Sequence, residues 1–193
     1  YTPRMLLGKI SDCKNSLTSW QDQLKSVNCD YKPGQRGYQV SAGDVDELVA
    51  VVYAEYQHRL AMANAVDFDD LIMRTVELFQ RCPQVSEYYR HKFRYVFVDE
   101  YQDTNHAQYV LVRELSGIDS GEQPDPQMRG AGRVGPSWIT VVGDSDQSIY
   151  AFRGADIRNI QDFEQDFPNA KTIMLEQNYR STQTILDAAN AVI

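Results

Sequence analysis

The chain has 193 residues and a mass of 22.1 kDa, the size of one ordinary domain or slightly more. Apolar residues make up 42% and charged residues 24%, which excludes a chain disordered throughout. No stretch approaches the roughly 18 uninterrupted apolar residues of a membrane helix, and Tyr1-Thr2-Pro3-Arg4 does not open a signal peptide. Three scattered cysteines, Cys13, Cys29 and Cys82, make neither a disulfide framework nor a zinc site, which fits a cytoplasmic protein. A net charge of −8 argues weakly against a nucleic-acid binder. The charge is uneven, however. Residues 1–40 hold six Lys/Arg against three Asp/Glu, and the rest hold 13 against 24. That basic end is either a solvated helical surface or a phosphate-facing one.

The first sixty residues read as helical, with Thr2 as N-cap and Pro3 as first helical residue. Lys32-Pro33-Gly34 and Gly37 interrupt them. Asp44 then caps a helix with Asp46 and Glu47 in its first turn, and Val45, Leu48, Val49, Val52, Tyr56 and Leu60 keep a 3.6-residue period. Residues 68–80 form the next helix, with Phe68, Leu71, Ile72, Val76 and Phe79 on one face, and Cys82-Pro83 ends it. The period then changes. Tyr95-Val96-Phe97-Val98, Trp138-Ile139-Thr140-Val141-Val142 and Thr172-Ile173-Met174-Leu175 are short apolar runs without polar alternation, as expected of strands buried on both faces. Helices over residues 104–115, 156–167 and from 182 onward separate and follow them. The expected class is α/β with a mostly parallel sheet flanked by helices. Residues 117–137 contain five glycines and three prolines and read as a flexible surface insertion. The chain stops inside an apolar helix at Ile193, as a fragment would.

Each apolar run is followed at once by polar residues: Asp99-Glu100-Tyr101-Gln102-Asp103, Gly143-Asp144-Ser145-Asp146-Gln147 and Glu176-Gln177-Asn178-Tyr179-Arg180. Ligands of open α/β sheets bind beyond the carboxyl ends of the strands. Carboxylates in the first two clusters and an arginine in the third suit a hard divalent cation and an anionic substrate, that is, magnesium and a nucleoside triphosphate. The alternative is that these residues are helix caps. Capping explains poorly why Asp99 and Glu100, two carboxylates that repel each other, stand together at a strand end, where a cation would offset the repulsion.

The runs Val98-Asp99-Glu100-Tyr101-Gln102-Asp103-Thr104-Asn105, Val142-Gly143-Asp144-Ser145-Asp146-Gln147-Ser148-Ile149-Tyr150-Ala151-Phe152-Arg153-Gly154-Ala155 and Leu175-Glu176-Gln177-Asn178-Tyr179-Arg180-Ser181-Thr182 resemble helicase motifs II, III and IV of the UvrD/PcrA/Rep group of superfamily 1. Asp67-Phe68-Asp69-Asp70-Leu71-Ile72 is similar to a further motif of that group. The resemblance implies a partial RecA-like (P-loop NTPase) domain over residues 65–193, and part of an inserted all-helical subdomain over residues 1–64. It implies that Asp99 holds Mg2+, Glu100 orients or deprotonates the attacking water, Gln147 contacts the γ-phosphate of ATP, and Arg180 neutralises charge there. Tyr179 would stack on the nucleotide base. Tyr150, Phe152, Arg153 and Phe68 would grip single-stranded DNA, since bases stack on aromatic rings regardless of sequence. For Asp69-Asp70 a structural role is expected. His58, His91 and His106 share no ligand spacing and are expected to be surface or capping residues.

The implied function is that of an ATP-dependent DNA helicase moving 3′-to-5′ on single-stranded DNA, engaging duplex junctions and serving repair or replication, with DNA-repair proteins as further partners and no membrane. No Gly-x-x-x-x-Gly-Lys-[Ser/Thr] loop occurs in the chain, so this piece alone is expected to be inactive. A non-catalytic module that recruits repair partners is the alternative, and a metal-dependent nuclease built on the same carboxylates is a weaker third.

Overall fold

The computed structural model describes residues 1–117, 137–151, 154–161 and 163–192. Five helices come first: α1 (Pro3–Asn15), α2 (Trp20–Ser26), α3 (Val45–Met62), α4 (Phe68–Arg81) and α5 (Pro83–Lys92). Their starts follow local chemistry. Thr2, Ser19, Asp44 and Asp67 each accept a backbone N–H of the first turn, and Asp67 and Asp70 complete a reciprocal capping box on α4. Pro83 was expected only to end a helix. It also opens α5, because a first helical residue needs no N–H partner.

Strand β1 (Tyr95–Val98) leads through a 3₁₀ turn into α6 (His106–Ser116), which Asn105 caps and Gly117 ends at φ 73°. Strand β2 (Trp138–Val141) lies parallel to β1, with Tyr95 opposite Trp138 and Val98 opposite Val141. Ser137 ties the entry of β2 to the helices: its hydroxyl donates to the Phe93 carbonyl at 2.7 Å, and its N–H to that of Ser116 at 2.9 Å. Within the helix expected over 156–167, α7 (Arg158–Gln161) and α8 (Phe163–Asp166) are helical, residue 162 lying outside the described residues, and α9 (Gln183–Asn190) follows. The expected insertion lies outside the described residues except for Gly117 and Ser137.

The fold is thus helix-rich α/β, and two expectations about its sheet fail. Residues 172–175 form no strand. A strand needs a neighbouring ladder for its backbone groups, and the sheet among the described residues is the β1–β2 pair alone. Ile173, Met174 and Leu175 stand 69–82% exposed. Nor are β1 and β2 buried on both faces. Val96, Val98, Ile139 and Val141 face inward and are half-buried, while Tyr95, Phe97 and Trp138 on the other face are exposed.

The core lies among the helices. Leu24, Tyr31, Ala50 and Ala54 join α2, α3 and the loop between them, and Met73, Val76 and Phe79 of α4 are buried where that helix meets its neighbours, α6 among them. Two consecutive residues at the end of α1 tie it to the rest. Lys14, with a fully buried side chain, places Nζ 2.6 Å from Asp67 Oδ2 and 3.1 Å from Asp70 Oδ2. Asn15 Oδ1 accepts from Asn105 Nδ2 at 2.9 Å. No helix among the described residues is long and apolar enough to cross a membrane.

Candidate functional site

Beyond Val98 and Val141 the two strands run on side by side into tight turns. Val142 N–H donates to the Val98 carbonyl at 2.8 Å, and Tyr101 N–H donates back to the Val142 carbonyl at 3.0 Å. Between them Glu100 takes the left-handed conformation, φ 49° and ψ 46°. A residue with a Cβ is held there at a cost of order 1–3 kcal/mol, so its surroundings must impose it. Three hydrogen bonds and one buried ring do so. Asp99 Oδ1 accepts the Glu100 N–H at 2.9 Å, the Glu100 carbonyl accepts Asp103 N–H at 2.9 Å, and the Tyr101 N–H is tied to β2 as above. The Tyr101 side chain is wholly buried, edge-on to Phe163 with centroids 5.5 Å apart, and burial pushes its phenol well above the ordinary range. With the backbone so fixed, the Asp99 and Glu100 side chains are left exposed at the sheet's carboxyl end.

Gln102 joins this turn to the next. It is 1% exposed. Its Nε2 donates to Glu100 Oε2 at 2.7 Å, and its Oε1 accepts the Asp144 N–H at 3.1 Å. Gly143 has no room for a side chain: a Cβ there would stand 2.6 Å from Gln102 Oε1 and 2.8 Å from Ile160 Cδ1. Asp144 then caps the 3₁₀ turn Ser145–Gln147, accepting Asp146 N–H at 3.1 Å on one oxygen and Gln147 Nε2 at 2.7 Å on the other. Asp99, Glu100 and Gln147, singled out in the sequence, therefore share one end of the parallel pair. Gln102 is the link that sequence reasoning missed. It was legible only as one polar residue in a polar run, and nothing in that run marks it as buried.

The remaining candidates lie elsewhere. Tyr179 is 92% exposed and Arg180 is exposed, on a turn where Asn178 Oδ1 accepts the N–H groups of Arg180 and Ser181. No hydrogen bond or ion pair joins Arg180 to the Asp99–Gln147 group among the described residues. Tyr150 is half-buried; Phe152 and Arg153 lie outside the described residues. The segment beyond them returns to the first turn, where Ala155 bridges Asn105, Asp156 N–H donates to the Thr104 carbonyl, and Asn159 Nδ2 donates to the same carbonyl. Phe68 is 90% exposed at the N-terminus of α4. Asp70 has the structural role expected of it. It is fully buried, it completes the cap, and both its oxygens accept from Gln57 Nε2. Of the histidines, His106 opens α6 and lines a cleft of about 540 Å³ with Asp12, Asn15, Ala151, Asp156 and Arg158. Arg158 bonded to Asp156 holds that carboxyl below its ordinary value.

Asp99 suits a hard cation. Its carboxylate is exposed, and one oxygen faces the Glu100 N–H while the other carries no bond to a described residue. Among the described residues no group of three or more His, Cys, Asp or Glu is arranged to hold a metal ion. This donor set fits magnesium, which keeps several waters and takes one or two protein carboxylates beside phosphate oxygens, and it fits calcium poorly.

The chain matches the family described as the UvrD/REP helicase N-terminal domain over residues 2–168. Over its whole length it is 54% identical to the ATP-dependent DNA helicase UvrD1 of Mycobacterium tuberculosis, 52% to UvrD1 of Mycobacterium leprae, and 49% to the ATP-dependent DNA helicase PcrA of Staphylococcus aureus. It spans 22% of the length of each of these relatives.

Proposed function

The chain belongs to the UvrD/REP helicase family, and we propose that the full-length protein is an ATP-dependent DNA helicase that moves 3′-to-5′ on single-stranded DNA in repair or replication. In this reading residues 65–193 are the later part of a RecA-like ATPase domain and residues 1–64 part of its inserted helical subdomain. The isolated segment is inactive, because it lacks a phosphate-cradling Gly-Lys loop. Asp99 holds the magnesium ion, which neutralises phosphate charge when bound. Glu100 orients the attacking water and receives its proton, Gln147 contacts the γ-phosphate, Arg180 donates to it and Tyr179 stacks on the base. Tyr150, Phe152, Arg153 and Phe68 stack on or pair with single-stranded DNA.

The observation that supports this most directly is the meeting of Asp99, Glu100 and Gln147 at the carboxyl end of two parallel strands. There, backbone bonds hold the two carboxylates toward solvent. Capping does not account for this pair, since the Glu100 side chain caps no helix. The test is Glu100→Gln in the full-length protein. DNA-stimulated ATP hydrolysis and unwinding should fall by about 100-fold or more, with affinity for single-stranded DNA unchanged. Unwinding at the wild-type rate would refute the assignment.

A further inference from the structure

We propose that Gln102 is a positioning residue: its buried amide fixes the Glu100 carboxylate and ties it to the turn that carries Gln147. This rests on the helicase reading above and adds a residue to it. Glu100 is exposed on a left-handed turn, and an exposed glutamate has three freely rotating side-chain bonds. Its Oε2 is held at 2.7 Å by Gln102 Nε2, which leaves Oε1 to face a water molecule. An amide can present its N–H end to Glu100 only if its oxygen faces a donor, and Asp144 N–H at 3.1 Å supplies that donor. The flip is therefore set by the second turn.

Gly143 is the counterpart of this arrangement. The amide lies so close to its Cα that a Cβ would overlap Gln102 Oε1 at 2.6 Å. The backbone of Gln102 is also engaged, its carbonyl accepting from Ser148 Oγ at 3.4 Å. A residue serving only as filler between two turns would not need an amide. At 1% exposure an apolar side chain would fill the space without polar groups to satisfy. The bonds run in one chain: Glu100 Oε2 to Gln102 Nε2, Gln102 Oε1 to Asp144 N, and Asp144 Oδ2 to Gln147 Nε2. When Gln147 leaves Asp144 for a phosphate, the turn that orients Gln102, and through it Glu100, loses one of its restraints. Occupancy of the γ-phosphate position is thus felt at the carboxylate that handles the water.

The experiment uses the full-length protein with Gln102→Met, Gln102→Glu, Glu100→Gln and the Glu100→Gln/Gln102→Met pair. The readouts are steady-state ATP hydrolysis at saturating single-stranded DNA, the KM for ATP, DNA affinity and melting temperature. Gln102→Met and Gln102→Glu should lower kcat by about 10- to 100-fold, the scale of a misplaced catalytic group. KM and DNA affinity should stay within about twofold. In the Glu100→Gln background Gln102→Met should change the residual rate by no more than about twofold, because the residue it positions is already gone. Gly143→Ala, which displaces the amide from the other side, should reproduce the kcat loss and so serves if either Gln102 variant misfolds. Wild-type kcat in Gln102→Met, a loss shared equally by kcat, KM and melting temperature, or full multiplication of the two losses in the double variant would each overturn the proposal. Absence of DNA-stimulated hydrolysis in the wild-type protein would overturn the helicase reading and this proposal with it.

Discussion

Lys14→Met tests the clasp that joins α1 to α4. The Lys14 side chain is fully buried, its Nζ lies 2.6 Å from Asp67 and 3.1 Å from Asp70, and it sits 5.2 Å above the Tyr56 ring. Methionine keeps the stem volume and removes the charge. Asp70, itself 0% exposed, is then left with the Gln57 amide at 2.9 and 3.1 Å, the Asp67 N–H at 3.4 Å and Arg74 Nε at 3.5 Å. Removing one partner of a buried pair costs about 3–5 kcal/mol. Because Gln57 and Arg74 remain, and Asp67 is 23% exposed to water, the lower end applies, about 3 kcal/mol or roughly a 100-fold change in the opening equilibrium. Native-state hydrogen exchange in the full-length protein reads this locally, as lost protection in the last turn of α1 and the first turns of α4. The charge-free set Lys14→Met/Asp67→Asn/Asp70→Asn should regain much of the loss, since no buried charge is stranded and asparagine still caps a helix. Protection in Lys14→Met within about threefold of wild type would refute the claim that this cation holds α4 in place.

Two further outcomes follow from exposed and tethered groups. Phe68→Ala should lower affinity for single-stranded DNA by about 5- to 100-fold, the worth of one base–aromatic stack, measured by fluorescence anisotropy on the full-length protein. Its melting temperature should not move, because Phe68 is 90% exposed. Glu55 accepts from Gly34 N–H, Tyr31 OH and Arg59, and these bonds, that from Gly34 first, hold its carboxyl down to about 2. An unfolded glutamate titrates near ~4.3, so the folded state binds fewer protons between these values. The tether is therefore fully present above about pH 4.3 and is lost as pH falls toward 2. Glu55→Gln should remove that acid-range dependence and speed tryptic cleavage after Arg36 at neutral pH.

What the sequence revealed and what it hid divide along physical lines. Caps are local, so Thr2, Asp44 and the two helices they start could be read directly. The polar runs after Val98 and Val141 could be read because a strand end and the turn after it are adjacent in the chain. Residues 172–175 misled because an apolar run states only a preference for burial. Whether it becomes a strand depends on a ladder partner, which no local pattern encodes. The exposed Tyr95, Phe97 and Trp138 make the same point for the two strands that do form. Pro83 was ambiguous in principle, since the same ring that ends one helix can open the next. Gln102 and Lys14 were illegible for another reason. A buried polar residue is defined by partners far away in sequence, here Asp144 for the first and Asp67 with Asp70 for the second.

Those long-range partners show how the two proposed activities share one scaffold. Lys14 and Asn15 are neighbours in the chain and point to different clients. Lys14 neutralises the cap of α4, whose first residue, Phe68, stands in solvent as a proposed DNA contact. Asn15 bonds Asn105, which caps α6 and bridges Ala155, just past the proposed DNA-gripping segment. Thr104, next to Asn105, bonds back to the Tyr101 carbonyl at 2.7 Å and so to the turn that displays Glu100. The end of α1 is thus bonded both to the cap of α4 and to the residue that caps α6. Lys14→Met loosens the first of these connections and leaves the second intact. Hydrogen exchange at the start of α6 should stay near wild type in that variant while the start of α4 opens, because the clasp is two separate bonds on adjacent residues and not one rigid block.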